Sequence, residues 1–200
     1  MCQAAPKIQL HLCFNKQNNT MMPRNLSNTL TIFFFLLVSI SAFGQKKTEG
    51  IHMDIQQRTN EIFDSLVTIR RDFHMYPEVG GNEKRTSEKI AAYLSRLGLE
   101  VKTGIGGYGV IGILKGAKPG KKIAWRADID AMPYKAPDMV DFASKNEGVR
   151  HICGHDLHAA VALGIANVLV EQKENLAGTI YFVFQPSEEN IKGALAMMDD

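Results

Sequence analysis

The sequence predicts an α/β fold in which a mixed sheet is covered by helices on both faces. Two stretches carry apolar residues at helical spacing, and four others carry the β-branched and aromatic residues typical of strands. Helices and strands alternate along the chain, as in sheets with helices packed against them. With 45% hydrophobic and 22% charged residues among 200, the chain can build a packed domain.

Two amphipathic helices are predicted ahead of the sheet. The first covers residues 54–76, where apolar residues recur at spacings of three, four and seven until Tyr76-Pro77 ends the run. The second covers residues 82–97, with Gly98 in the position where helices stop. We expect their apolar faces to pack on the sheet.

Four short segments predict the strands. They are separated by Gly, Lys and Pro turns and cover residues 99–103, 110–114, 122–130 and 178–185. Residues 134–150 carry no period and are predicted to be a surface loop, whereas the apolar run 159–171 predicts a buried helix. Residues 193–200 are typical of a helix interior without a cap, so we expect the chain to be the N-terminal part of a longer protein.

The charge of the chain argues against a nucleic-acid partner. The formal net charge is only +2 at pH 7, and no run of five or more Lys and Arg residues occurs. Basic patches of that kind are what nucleic-acid binders use to hold phosphates. We therefore expect no nucleic-acid binding.

The N-terminal region predicts export. Residues 31–43 are almost entirely apolar, but at about 13 residues they fall short of the roughly 20 that a membrane span needs. With Arg24 before them and the small residues Ala42 and Gly44 at their C-terminal end, they predict a signal peptide over residues 21–44, cleaved after Gly44. A retained membrane anchor is the alternative.

The signal peptide places the mature protein in the periplasm or outside the cell, with no stable membrane contact after cleavage. Residues 1–20, with Cys2 and Cys13, are then predicted to be an over-extended gene start. The mature chain would keep one cysteine, Cys153, and could form no internal disulfide. A small buried side chain is the ordinary explanation of such a thiol.

The glycine-rich segment GIGGYG at residues 104–109 formally matches the dinucleotide-binding fingerprint. A true fingerprint opens a helix whose N-terminus receives the pyrophosphate, whereas residues 110–114 continue here as a β-branched strand. We therefore interpret the segment as a turn between two strands and expect no cofactor-binding residues there.

The segment HICGHDLH at residues 151–158 concentrates a thiol, three imidazoles and a carboxylate before the predicted buried helix. Thiolate and neutral imidazole suit zinc-like divalent ions, and Gly154 lets the side chains of Cys153 and His155 turn toward one ion. The segment is therefore a candidate metal site. The alternative is a polar loop that happens to be rich in histidine.

Two acidic residues, Glu188 and Glu189, directly follow the last predicted strand, and ligands in α/β sheets bind at the carboxyl ends of strands. One carboxylate can bind a metal while its neighbour acts as general base. Taken alone, the pair is better explained as an acidic helix N-cap, but the nearby Cys/His cluster favours the metal site.

Arg126, Asp128 and Asp130 follow another strand and are expected at the same sheet edge. Since metal-bound imidazoles donate their second N–H to a carboxylate, Asp128 or Asp156 is a candidate supporting partner. A surface salt bridge explains the first three residues equally well.

The segments RRDFHMYPEVGGNE, WRADIDAMP, HICGHDLHAA and QPSEEN together make the chain similar to bacterial N-acyl-amino-acid amidohydrolases. That family includes hippurate hydrolase and the plant auxin-conjugate hydrolases, and it is more distantly similar to aminoacylase and to carboxypeptidases. The resemblance implies that residues 45–200 are the N-terminal part of a zinc-peptidase-like catalytic domain.

The resemblance further implies two divalent metal ions, manganese or zinc, with ligands at Cys153, His155 and Glu189 and a general base at Glu188. His158 receives no ligand role. Two further histidine ligands and an inserted lid or dimerisation domain lie beyond this region in the family. We therefore expect the 200-residue chain to be inactive alone, and the full-length form to dimerise.

The implied reaction is metal-assisted hydrolysis of the amide bond in a small N-acyl amino acid, with Glu188 moving the proton. Two alternatives stay open. One is a dipeptidase or carboxypeptidase on the same scaffold, although the cysteine of HICGHD favours the amidohydrolases. The other is a non-catalytic module with a metal-stabilised loop.

Overall fold

The computed structural model describes residues 24–200, with side chains from Gly50 onward. The predicted gene start at residues 1–20 and the first three residues of the predicted signal peptide lie outside the described residues. The chain divides into two compact units, Met1–Gly50 and Ile51–Asp200. No helix within residues 24–200 combines the length with the apolar content that a bilayer crossing requires.

Helix α1 covers Arg24–Met75, so it begins well before the predicted residue 54 and ends where Tyr76-Pro77 was expected to end it. Helix α2 covers Lys84–Arg96, and Gly98 behind it has φ +80°, which the missing side chain permits. Helix α3 covers His155–Glu171 and starts four residues earlier than its apolar run predicts. Helix α4 covers Gly193–Asp199.

The sheet is mixed, as predicted. Its four strands lie in the order β1-β2-β6-β3, where β1 is Glu100–Ile105, β2 is Gly109–Lys115, β3 is Lys118–Asp128 and β6 is Ala177–Gln185. β2 is antiparallel to both of its neighbours, while β3 and β6 run parallel. The GIGGYG segment forms the turn between β1 and β2, as interpreted from the sequence.

Helices α2 and α3 pack on this sheet through a core of fully buried side chains. Gly112 of β2 makes room for Leu94 of α2, because a Cβ there would lie 2.9 Å from a Leu94 methyl carbon. Leu157 and Val161 of α3 stay half exposed, so this helix is less completely buried than predicted. The core includes Phe73, Ile90, Leu94, Val110, Ala127, Leu163, Phe182 and Phe184.

The predicted loop 134–150 contains a short strand that no period in the sequence predicts. Its last residues, Val149–Arg150, form strand β5 and pair with β4, Met132–Pro133. The rest of the loop is tied to α1, since Asp138 lies 3.2 Å from the ring nitrogen Nε2 of His74. This loop leads directly into the HICGHDLH segment.

Candidate metal centre

The parallel pairing of β3 and β6 brings two functional segments to one rim of the sheet. The strands stay in register to their ends, where Asp128 lies opposite Gln185 and the N–H of Ile129 donates to the Gln185 carbonyl. Glu188 and Glu189 follow β6 within a tight turn. His155 opens α3 at the same rim, behind Gly154, whose φ of +84° strains any residue but glycine.

His155, Glu188 and Glu189 converge, with one ligand atom of each lying within 4.8 Å of the other two. Nε2 of His155 lies 3.8 Å from Oε2 of Glu188 and 3.9 Å from Oε1 of Glu189. These separations are too long for direct hydrogen bonds. A cation placed among the three groups would find a nitrogen and two oxygens around it.

Cys153 lies at the margin of this group. It is exposed, and its Sγ is 3.5 Å from Sδ of Met132. The Glu189 carboxylate attracts the thiol proton and, together with partial burial and the Glu188 charge, raises the pKa of Cys153 to about 11. The thiol therefore stays protonated at neutral pH as long as nothing offsets the surrounding negative charge.

Asp130 orients the imidazole of His155. Nδ1 of His155 lies 2.9 Å from the Asp130 carbonyl oxygen and 3.2 Å from its Oδ1. Burial alone would lower the pKa of His155, but its hydrogen bonds to Asp130 outweigh burial and raise that pKa to about 9. With Nδ1 engaged in this way, Nε2 faces Glu188 and Glu189.

Asp130, and not Asp128 or Asp156, makes the close contacts to the His155 ring, so the supporting roles of Asp128 and Asp156 stay predictions. Oδ2 of Asp156 instead lies 2.7 Å from Nδ1 of His74 and 2.8 Å from Nε of Arg70, so it ties the first turn of α3 to α1. Oδ1 of Asp128 accepts hydrogen bonds from Nε and Nη2 of Arg126 at 2.9 and 2.7 Å, which is the salt bridge given above as the alternative.

His158 lies one helical turn from His155, and the two rings stack with their centroids 6.0 Å apart. Its Nδ1 is 3.5 Å from Oδ2 of Asp128. Asp128, His155 and His158 therefore form a second group with ligand atoms within 4.8 Å of one another. In this second group Asp128 and His155 are buried, and His158 is exposed.

The donors at the rim fit a divalent cation. Oε1 of Glu189 is buried and has no hydrogen-bond partner within the described part of the chain, a costly state for a carboxylate oxygen. Three acidic side chains, those of Glu188, Glu189 and Asp130, lie here beside the single imidazolium of His155, so negative charge is in excess. Imidazole, carboxylate and thiolate together form the donor set that zinc-like ions prefer.

Sequence comparison identifies the family to which these residues belong. The profile of peptidase family M20/M25/M40 matches residues 124–200, which include both halves of the rim. Over these residues the chain is similar to an M20 peptidase domain. The M20 match thus covers Asp130, His155, Glu188 and Glu189.

Two curated relatives extend the M20 similarity toward the N-terminus. Thermostable carboxypeptidase 1 of Saccharolobus solfataricus is 43% identical over 148 residues, covering 72% of this chain and 38% of the relative. N-acetylcysteine deacetylase of Bacillus subtilis is 40% identical over 140 residues, covering 67% of this chain and 36% of the relative. The chain therefore spans well under half the length of these relatives.

The solved structures agree with the M20 assignment and with the mixed α/β fold. The Bacillus subtilis YXEP protein, described as a dinuclear metal-binding peptidase of the M20 family, superposes with a TM-score of 0.67 at 38% identity. The superposition covers 70% of this chain and 39% of that one.

Two residues that contact the M20 rim received no role from the sequence. The sequence places Asp130 as one of two acids after a strand, and its position beyond the last residue of β3 is the signal that could indicate its role. The Glu83 carboxylate accepts a hydrogen bond from the backbone N–H of Ser187, which lies 104 positions away in the sequence. No local sequence pattern indicates that contact.

Proposed function

We propose that this chain forms part of the catalytic domain of a metal-dependent hydrolase that cleaves the amide bond of N-acyl amino acids. The observation that carries the proposal is the convergence of His155, Glu188 and Glu189 within 4.8 Å at one rim of the sheet, with the Cys153 thiol beside Glu189. One solved structure that is similar to this chain, that of the Bacillus subtilis YXEP protein, is described as a dinuclear metal-binding peptidase of the M20 family.

Cys153, His155 and Glu189 would hold two divalent ions, manganese or zinc, which when bound polarise an amide carbonyl and lower the pKa of nearby water. Asp130 keeps the His155 ring in the orientation that presents Nε2 to the rim. The buried, unpartnered Oε1 makes Glu189 the better ligand of the two adjacent acids.

Glu188 suits the proton-transfer step. Its side chain is 40% exposed against 17% for Glu189, so it can reach both solvent and a substrate lying over the rim. It takes a proton from the water that attacks the amide carbonyl. The resulting carboxylic acid then gives that proton to the nitrogen of the leaving amino acid, so proton count and charge on Glu188 return to the start.

Substitution of Glu188 by Gln in the full-length protein tests this role. Gln keeps the shape of the side chain but cannot accept the proton, so kcat should fall by about 10²–10⁴-fold while metal content stays that of the parent. The assay is hydrolysis of N-acetyl and N-benzoyl amino acids, with metal analysis in parallel. Turnover within a few-fold of the parent would refute the role of Glu188.

The substrate class rests on the N-acetylcysteine deacetylase similarity and on the cysteine in HICGHD. A carboxypeptidase activity is the alternative, because the thermostable carboxypeptidase is slightly more similar, at 43% identity over 148 residues against 40% over 140 for the deacetylase. A competition between N-acetyl amino acids and unblocked dipeptides separates the two. An amidohydrolase should prefer the acetylated substrates, and a peptidase the dipeptides, whereas no turnover of either would favour a non-catalytic metal-stabilised module.

We also propose that the protein is exported, that cleavage follows Gly44, and that the full-length enzyme dimerises. The support for export is the apolar run at residues 31–43 with small residues behind it. Mass spectrometry of the protein recovered outside the cytoplasm should give an N-terminus at Gln45. Recovery of the uncut chain in the membrane fraction would show a retained anchor instead.

A further inference from the structure

The turn that carries Glu188 and Glu189 has an unusual backbone. Ser187 has φ +54° and Ile191 has φ +63°, a left-handed conformation that residues with a side chain rarely adopt. Such a conformation persists only where the surroundings hold it in place. The N–H groups of Lys192 and Gly193 both donate to the Ser187 carbonyl, so Ser187 is the pivot of the turn.

The side chain of Glu83, at the start of α2, hydrogen-bonds to Ser187 from outside the turn. It is fully buried, and its Oε1 accepts the backbone N–H of Ser187 at 2.7 Å and lies 3.4 Å from the Ser187 hydroxyl. Its Oε2 accepts the backbone N–H of Gly81 at 2.9 Å. Within the described residues, no Lys, Arg or His side chain pairs with this carboxylate.

The chain before Glu83 is shaped to meet the same turn. Gly80 packs so closely that a Cβ there would lie 3.1 Å from Cα of Ser187 and 2.7 Å from Nδ2 of Asn190. Only glycine fits this approach without displacing the turn. Gly80 and Glu83 thus act together, one by leaving room and one by hydrogen bonding.

Both oxygens of Glu83 accept N–H groups, which is the pattern of an ionised carboxylate rather than of a carboxylic acid. Burial raises the pKa of Glu83, and the N–H donors of Ser187 and Gly81 work in the opposite direction. A buried acid without a cationic partner is costly, so its presence calls for a role that an apolar residue could not fill.

We propose that Glu83 is a positioning residue for the two glutamates at the rim: by holding the Ser187 N–H, it fixes the strained turn from which Glu188 and Glu189 project. The residue acts through the backbone and touches neither substrate nor ion. The inference rests on the proposed function, since it is the metal-binding hydrolase that gives the placement of these two carboxylates its importance.

Amide hydrogen exchange on the purified full-length protein tests the hold on the turn directly. Glu83→Gln keeps the shape but can serve only one of the two N–H groups, so amides of residues 187–191 should exchange about tenfold faster than in the parent. Glu83→Ala serves neither group and should accelerate their exchange further. Ile90→Val, a buried change on the same helix that contacts none of these groups, should leave the turn unchanged.

Cobalt binding supplies a readout that a merely structural role would not move. Titration of each metal-free variant with Co²⁺, followed by absorption, should show about 10–100-fold weaker binding for Glu83→Ala than for the parent, a smaller loss for Glu83→Gln, and parental binding for Ile90→Val. The fold of every variant is checked by circular dichroism before titration.

Exchange of residues 187–191 within twofold of the parent in Glu83→Gln and Glu83→Ala would overturn the inference. So would parental Co²⁺ affinity in both variants. If Glu83→Ala fails to fold, Glu83→Gln alone decides by the same criteria. If the parent binds no Co²⁺ at all, the proposed function loses its support, and hydrogen exchange still decides whether Glu83 holds the turn.

Discussion

His151 and His155 belong to one short segment, yet their surroundings are opposite. His155 faces the acidic rim, and its hydrogen bonds to Asp130 raise its pKa to about 9 despite burial. His151 is buried with both ring nitrogens unpartnered within the described residues, and burial lowers its pKa to about 4. The comparison teaches that the positions of the carboxylates, and not the local sequence, decide which histidine carries charge.

The raised pKa of His155 should be visible in how the stability of the metal-free chain changes at alkaline pH. A folded pKa of about 9 against an ordinary value of 6.5 gives a stabilisation that is complete below pH 6.5 and is lost as the pH rises through 9. We expect the free energy of unfolding to fall by about 3 kcal/mol over that window, measured by urea denaturation. A flat profile, or the same slope in His155→Gln, would contradict this.

The substitution Asp130→Asn should remove the carboxylate that raises the pKa of His155. The isosteric amide takes away the charge that favours the protonated imidazole, so the pKa of His155 should fall well below 9, while the backbone carbonyl of residue 130 and the Asp128 charge still oppose burial. At pH 7 the loss of stability should be about 2 kcal/mol. NMR titration of the imidazole signals checks the pKa, with Asp128→Asn as the matched control that should change it much less.

Protonation of His151 should account for a smaller loss of stability at acidic pH. Its folded pKa of about 4 lies below the ordinary 6.5, so the unfolded chain binds the proton more readily and stability falls as the pH drops from 6.5 toward 4. His151→Leu removes this group, leaves no hydrogen-bond partner unsatisfied, and should lessen the loss at pH 5.5 by about 1 kcal/mol. An unchanged acid limb in this variant would show that His151 is not its source.

The sequence predicted the elements that place the rim but not every contact at it. Glu188 and Glu189 are predicted because they follow a strand, and the parallel pairing of β3 and β6 places them beside Asp130, which contacts His155. Their roles in catalysis and metal binding stay predictions. The start of α1 was missed, because the apolar periodicity that predicted the helix begins only near residue 54.

The choice between Asp128, Asp130 and Asp156 depended on how α3 docks against the end of β3, which no spacing along the chain encodes. The Glu83–Ser187 contact joins residues 104 positions apart and has no local signature. Strands β4 and β5 are two residues long, too short to show any period. Tertiary contacts of this kind are fixed by packing and become visible only in three dimensions.

The position of β6 has a consequence for how the molecule is made. Although β6 is the last of these four strands in the sequence, it lies between β2 and β3, so the four-stranded sheet cannot form until β6 has been made. Long-range pairing of this kind slows folding and leaves strand edges open during synthesis. The acidic turn behind β6 consequently meets the histidine segment only after β6 has paired, so the earlier part of the chain cannot form this cation-binding group by itself.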